Sequence, residues 1–238
     1  MHLAIDIGNT RTKAAVFEGE SLLEQVAFFS ADANTELSRL CKSFPQITDA
    51  VLSSVGASQN LEMKGVCINQ VSRKWSFPFE NLYATPDTLG LDRMVLAAGA
   101  VLMHPRKNVL VIDAGTCVTY DYVDRDARYH GGAISPGLAM RYRALRDYTA
   151  GLPLLDAAVP VSMTGDSTAN SIHSGVVNGL AAEVESFINH YASAGNFIII
   201  LTGGDSEFLA GTLKNRIFAN PNFLLESLNR LFQYQITK

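Results

Sequence analysis

Asp6-Ile7-Gly8-Asn9-Thr10-Arg11-Thr12-Lys13 follows the apolar run Leu3-Ala4-Ile5, and a near echo, Asp113-Ala114-Gly115-Thr116, follows Val109-Leu110-Val111-Ile112. Each copy leads into a second strand-like segment, so the chain carries one strand, turn, strand unit twice. A duplication at about half the chain length predicts two related lobes facing each other across a cleft. In each turn the Asp can hold a hydrated cation, the Gly lets backbone N–H groups approach a ligand, and the hydroxyls can donate to phosphate oxygens. Two such turns can grip a nucleotide tail from both sides. The same residue types also favour ordinary hairpin turns; their recurrence in matching contexts is what favours a ligand.

Outward from the first hairpin, strands are expected at His2 to Ile7, Thr12 to Phe17, Leu22 to Phe29 and Asp49 to Ser54, with a helix at Thr35 to Phe44 making the crossover of a mixed sheet. A short strand at Gly65 to Asn69 precedes a stretch broken by Pro78 and Pro86. The spacing of Met94, Val95, Ala98, Val101 and Leu102 predicts a helix over Asp92 to Met103. The second hairpin spans Asn108 to Val123. A strand at Arg128 to Ile134, a helix at Leu138 to Tyr148, a long helix at Asn170 to Ala192 and a strand at Phe197 to Thr202 follow. Helices at Ser206 to Leu213 and Asn222 to Phe232 close the chain. With no linker or low-complexity segment, the lobes are expected to divide near residue 104 (1–104 and 105–238) and to pack intimately.

Composition narrows the class. The 238 residues, 47% of them hydrophobic, suffice for a sizeable core, and 18% charged content excludes a disordered chain. The apolar runs Phe197 to Leu201 and Val109 to Ile112 have the length of buried strands and are too short to cross a bilayer. Asp6 stands where a signal peptide needs an uninterrupted apolar region, so a cytoplasmic location is expected. Cys41, Cys67 and Cys117 lack metal-ligand spacing and read as reduced thiols, and the five histidines show no zinc pattern. A net charge of −4 argues against nucleic acid as the main partner.

No G-x-x-x-x-G-K-[ST] or G-x-G-x-x-G loop is present, so any ATP site needs another cradle. Gly90-Leu91-Asp92-Arg93 opens a helix, where Asp is a good cap. Arg in a first turn opposes the helix dipole, which a bound anion would explain. Asp beside Arg is also what deprotonating a hydroxyl on an anionic substrate requires. Paired D-x-G hairpins with a late Gly203-Gly204 turn after an apolar strand resemble the actin, sugar-kinase and Hsp70 superfamily. That resemblance implies an α/β, duplicated actin-like ATPase fold, with mixed sheets flanked by helices.

The chain more specifically resembles the type III pantothenate kinases. The resemblance rests on Asp6-Ile7-Gly8-Asn9-Thr10-x-x-Lys13, Ser53-Ser54-Val55, Tyr83-x-x-Pro86-x-x-x-Gly90-x-Asp92-Arg93 and Asp113-x-Gly115-Thr116. It continues through Gly131-Gly132-x-Ile134-x-Pro136-Gly137 and Thr164-Gly165-x-x-Thr168-x-x-Ser171-Ile172-x-x-Gly175. It implies ATP-dependent phosphorylation of pantothenate to 4′-phosphopantothenate, the first step of coenzyme A synthesis. By it, Asp6, Ile7, Gly8, Asn9, Thr10, Arg11, Thr12 and Lys13 bind ATP phosphates, and Thr116 contacts ATP. Asp92 is the implied general base, and Tyr83, Gly90, Leu91, Asp92, Arg93 and Thr168 hold pantothenate. Asp113 is the implied ligand of a monovalent cation, K⁺ or NH₄⁺, while Mg²⁺ accompanies ATP. A homodimer is implied, with Thr168 supplied by the neighbouring chain and part of the apolar stripe Ile172, Val176, Val177, Leu180, Val184, Phe187 and Ile188 in the interface. Two other readings stay open: a kinase of the same fold acting on another hydroxylated acceptor, and a non-catalytic regulator resembling the Bvg accessory factor.

Overall fold

The computed structural model describes residues 1–8, 11–54, 61–192, 197–214, 217 and 219–237. They form two compact units, one of Met1–Pro105 with Asn222–Lys238 and one of Arg106–Pro221.

In the first unit β1 (His2–Ile7), β2 (Arg11–Glu18), β3 (Ser21–Phe29), β4 (Asp49–Ser54) and β5 (Cys67–Gln70) make a sheet of order β3-β2-β1-β4-β5, and β6 (Glu80–Asn81) is a two-residue strand. β1 runs antiparallel to β2 and parallel to β4. Leu3, Ala4 and Ile5 are continuous rather than alternating because both faces of this strand are covered. Leu3, Ile5 and Ile7 share a cluster with Ala33, Leu37 and Leu40, one face of α1 (Ala33–Ser43). Ala4 and Ala15 lie in a second cluster with Val95 and Ala98 of α2 (Leu91–Met103). Truncating a side chain such as Leu37 to Ala would cost about 2–5 kcal/mol.

The second unit contains β7 (Asn108–Ala114), β8 (Cys117–Val123), β9 (Arg128–Pro136) and β10 (Phe197–Thr202), ordered β10-β7-β8-β9. β7 is antiparallel to β8 and parallel to β10. Order and direction therefore repeat those of β4-β1-β2-β3, so the duplicated motif extends to four strands. The helices are α3 (Leu138–Asp147), α4 (Thr168–His173), α5 (Gly179–Ala192) and α6 (Ser206–Ala210); a π-helical turn, Ser174–Asn178, links α4 to α5. The long helix thus begins at Thr168, two residues before its expected start. Ser167 caps it by accepting the Asn170 N–H at 3.2 Å. Ile172, Val176, Val177, Leu180, Val184 and Ile188 pack with Leu110, Ile112 and Tyr120 of the unit's own sheet. These stripe residues, part of which the resemblance places in a dimer interface, are core of their own unit, the ordinary fate of an apolar helix face.

The last helix, α7 (Phe223–Ile236), packs in the first unit, with Leu225, Leu228, Leu231 and Phe232 against Ala4, Ala15 and Val51. The unit therefore draws on both ends of the chain rather than ending near residue 104. Among the described residues no helix is long and apolar enough to cross a membrane.

Candidate active site

The first hairpin places Asp6 at the end of β1, opposite Lys13 on β2 and Ser53 on β4. Asn9 and Thr10 lie outside the described residues. The Gly8 N–H donates to the Arg11 carbonyl at 3.0 Å across the turn. Behind it, the Thr12 hydroxyl donates to Ser30 Oγ at 3.0 Å, and Ser30 in turn donates to the Gly8 carbonyl at 3.0 Å. Both hydroxyls are buried, so Thr12 braces the turn from behind. Ile7 is buried in the sheet core and offers a ligand only its backbone. The Arg11 guanidinium lies over the Phe29 ring, 5.6 Å from its centroid.

Burial pushes the Asp6 carboxyl up to about 6; the Asp92 carboxylate adds to the rise and Lys13 opposes it. The two carboxylates thus sense each other within one unit. Asp6 Oδ1 and Ser53 Oγ are both covered and without a hydrogen-bond partner. A buried group in that condition costs about 1–3 kcal/mol, which a ligand would recover.

Asp92 comes from the head of α2. Gly90 is the N-cap residue, so Asp92 sits in the first turn instead of capping it, and its Oδ1 accepts the Arg93 N–H at 2.9 Å. A Cβ on Gly90 would lie 2.3 Å from Asp92 Oδ1, so glycine is what lets the carboxylate fold back over the helix start. Arg93 is only 5% exposed although charged, and its guanidinium stands 5.7 Å from the centroid of the Tyr83 ring. Leu91 packs beside this turn in the apolar cluster of the first unit. Tyr83, Gly90, Leu91, Asp92 and Arg93 therefore converge at one end of the sheet.

In the second unit Asp113 ends β7, opposite Thr119 on β8 and Thr202 on β10. The turn is closed by the Gly115 N–H donating to the Cys117 carbonyl at 3.0 Å, leaving Thr116 exposed at its tip. Gly203 follows β10 with φ +96°, a conformation glycine adopts at no steric cost. A Cβ there would come within 2.4 Å of both Asp113 Oδ1 and the Ala114 carbonyl, so the carboxylate and a backbone oxygen converge on this glycine.

Thr168, exposed at the start of α4, lines a cavity of about 880 Å³ with Arg141, Tyr148, Ser171, Ile172 and Val176. Arg141 is fixed by Glu183, which also accepts hydrogen bonds from Tyr120 at 2.8 Å and Ser135 at 3.0 Å. Burial favours a raised Glu183 pKa, but the hydrogen bonds from Arg141, Tyr120 and Ser135 outweigh it and hold the carboxyl below its ordinary value. Ser30 and Glu183 escape a reading of the sequence because their partners are distant in the chain.

The donor sets fit the groups a kinase requires. Asp6 Oδ1 and Ser53 Oγ are orphaned oxygens on neighbouring strands, donor types suited to a hydrated divalent cation. At Gly203 a carboxylate oxygen and a backbone carbonyl oxygen converge, donor types a hard monovalent cation takes, the carbonyl also accepting the Asp205 N–H at 2.9 Å. Duplicated sheets, each carrying an Asp-bearing hairpin, define an α/β protein of the actin-like ATPase fold. Solved structures share that fold. A protein described as a Baf family transcriptional activator from Campylobacter jejuni matches with TM-score 0.63 and 17% identity, over 99% of this chain and 100% of that one. A glucokinase from an Antarctic psychrotroph matches with TM-score 0.51 and 14% identity, over 98% of both chains. The family model of type III pantothenate kinase matches residues 2–190. A type III pantothenate kinase of Flavobacterium johnsoniae is 54% identical over 241 residues, covering 99% of each chain. The chain belongs to the type III pantothenate kinase family.

Proposed function

We propose that this chain transfers the γ-phosphoryl group of ATP to the terminal hydroxyl of pantothenate, yielding 4′-phosphopantothenate for coenzyme A synthesis in the cytoplasm. The observation that carries the reading is the group at the head of α2: Asp92 folded over Gly90 and electrostatically coupled to Asp6, with Arg93 stacked on Tyr83. Family membership supplies the acceptor's identity.

In this reading Asp92 takes the proton of the attacking hydroxyl as it bonds to the γ-phosphorus, while the bridging oxygen leaves with ADP. Arg93 holds the pantothenate carboxylate, and Tyr83 keeps the guanidinium in place. Residues Asp6 to Lys13 and Thr116 receive the phosphates. Mg²⁺ held with ATP near Asp6, and K⁺ or NH₄⁺ at Asp113, neutralise phosphate charge when bound. Ser30 and Thr12 hold the Gly8 carbonyl fixed, so the first turn is organised before nucleotide arrives.

The same proposal includes a homodimer in which Thr168 serves the neighbouring chain's pantothenate. Supporting it, the Thr168 cavity is open and apolar, and Tyr148 in its lining is 88% exposed.

ADP release from protein, ATP, Mg²⁺ and K⁺ with a panel of acceptors tests the assignment. Turnover with pantothenate is expected. Turnover only with another alcohol would move the acceptor, and none with any acceptor would favour a regulator.

A further inference from the structure

Ser53 is a buried hydroxyl, 2% exposed, with no hydrogen-bond partner, and it stands in register with Asp6 across the parallel β1–β4 pair. Residues in register on neighbouring strands, about 4.8 Å apart, project from the same face. Asp6 Oδ1, its neighbour, is likewise covered and unpartnered. The two orphaned oxygens therefore share one face of the sheet at the end that carries the phosphate turn.

Their chemistry limits what they address. A phosphate oxygen alone would be repelled by the Asp6 carboxylate. A cation with a hydration shell satisfies both atoms at once: charge opposite the carboxylate, and a bound water for the hydroxyl. The second unit repeats the arrangement, with the buried hydroxyl residue Thr202 in register with Asp113 across the parallel β7–β10 pair. A hydroxyl one strand over from the hairpin Asp is thus a feature of the duplicated motif.

We propose that Ser53 is a cation-positioning residue, its hydroxyl hydrogen-bonding a water in the shell of the divalent cation that Asp6 holds with the nucleotide. The inference rests on the nucleotide-binding reading above, and Ser53 carries it one residue beyond the Asp6 to Lys13 turn.

The test titrates Mn²⁺ into the full chain saturated with ADP and measures free Mn²⁺ by electron paramagnetic resonance. Ser53→Ala should weaken Mn²⁺ binding about 10-fold or more. It should leave ADP affinity in EDTA unchanged and should not lower the metal-free unfolding midpoint, since it removes an unsatisfied group. Ser53→Thr, which keeps the hydroxyl, should bind Mn²⁺ as the wild type does. If Ser53→Ala does not fold, Ser53→Cys, with its poorer hydrogen-bonding group, serves in its place. Unchanged Mn²⁺ affinity with normal ADP binding would overturn the role of Ser53 alone, as would a lowered unfolding midpoint without a Mn²⁺ effect. A wild-type chain that binds no ADP with Mn²⁺ would overturn the nucleotide reading and this inference together.

Discussion

The Ser30 hydroxyl donates to the Gly8 carbonyl at 3.0 Å, tying the end of β3 to the turn that follows β1. Because Ser30 also accepts from Thr12, its own proton is directed at Gly8. Ser30→Ala leaves a backbone carbonyl and a fully buried hydroxyl short of a partner, at a cost of about 1–3 kcal/mol. Urea unfolding should show that loss. A variant as stable as the wild type would mean water or a rearranged Thr12 replaces the link.

Asp6 makes stability depend on pH in an unusual direction. Its folded pKa, about 6, lies above the ordinary 3.8, so between those values the folded chain binds a proton that the unfolded chain has lost. Stability from this group therefore falls as pH rises from about 4 to 6 and stays low above. Asp6→Asn removes the penalty. We predict a gain on the order of 2 kcal/mol at pH 8, no gain near pH 4, and loss of nucleotide binding. Thermal unfolding across that range checks the sign; a gain largest in acid would contradict it.

Gly90 and Asp92 are predicted to fail together in activity. Asp92→Asn should lower kcat at least about 10²-fold with the fold retained. Gly90→Ala places a methyl group where Asp92 Oδ1 now sits and should also lower kcat by about 10²-fold, through displacement of the carboxylate. Circular dichroism confirms folding and initial rates give kcat. Near-normal kcat in Asp92→Asn would assign Asp92 a structural role in the first turn of α2.

These residues also show how far the sequence could be read. The hairpins were legible because each apolar strand stops at an Asp-x-Gly turn, and β7 and β10 follow the expected bounds. Asp92 and Arg93 were legible from their place at a helix start, but the reason for Gly90 was not, because it is a clash with a side chain two residues on. Ser30 lies 22 residues from Gly8 and gives no local signal. The stripe from Ile172 to Ile188 revealed an apolar face without saying whether its own sheet or another chain covers it. The same limit applies to α7, whose amphipathic pattern does not reveal that it returns to the first unit's sheet.

Asp113 sets a cation prediction. Activity should rise with K⁺ or NH₄⁺ and fail with Na⁺ as the only monovalent cation, and Asp113→Asn should lose that response. Rates in matched chloride salts check it, and full activity in Na⁺ would remove Asp113 from cation binding.

The most direct measurement of the central claim is ³¹P NMR of a reaction of the full chain with ATP, Mg²⁺, K⁺ and pantothenate. A phosphomonoester resonance of 4′-phosphopantothenate should grow in step with ADP, and at least about 10²-fold more slowly with Asp92→Asn. ADP appearing only with inorganic phosphate, or a phosphomonoester formed solely from another acceptor, would contradict it.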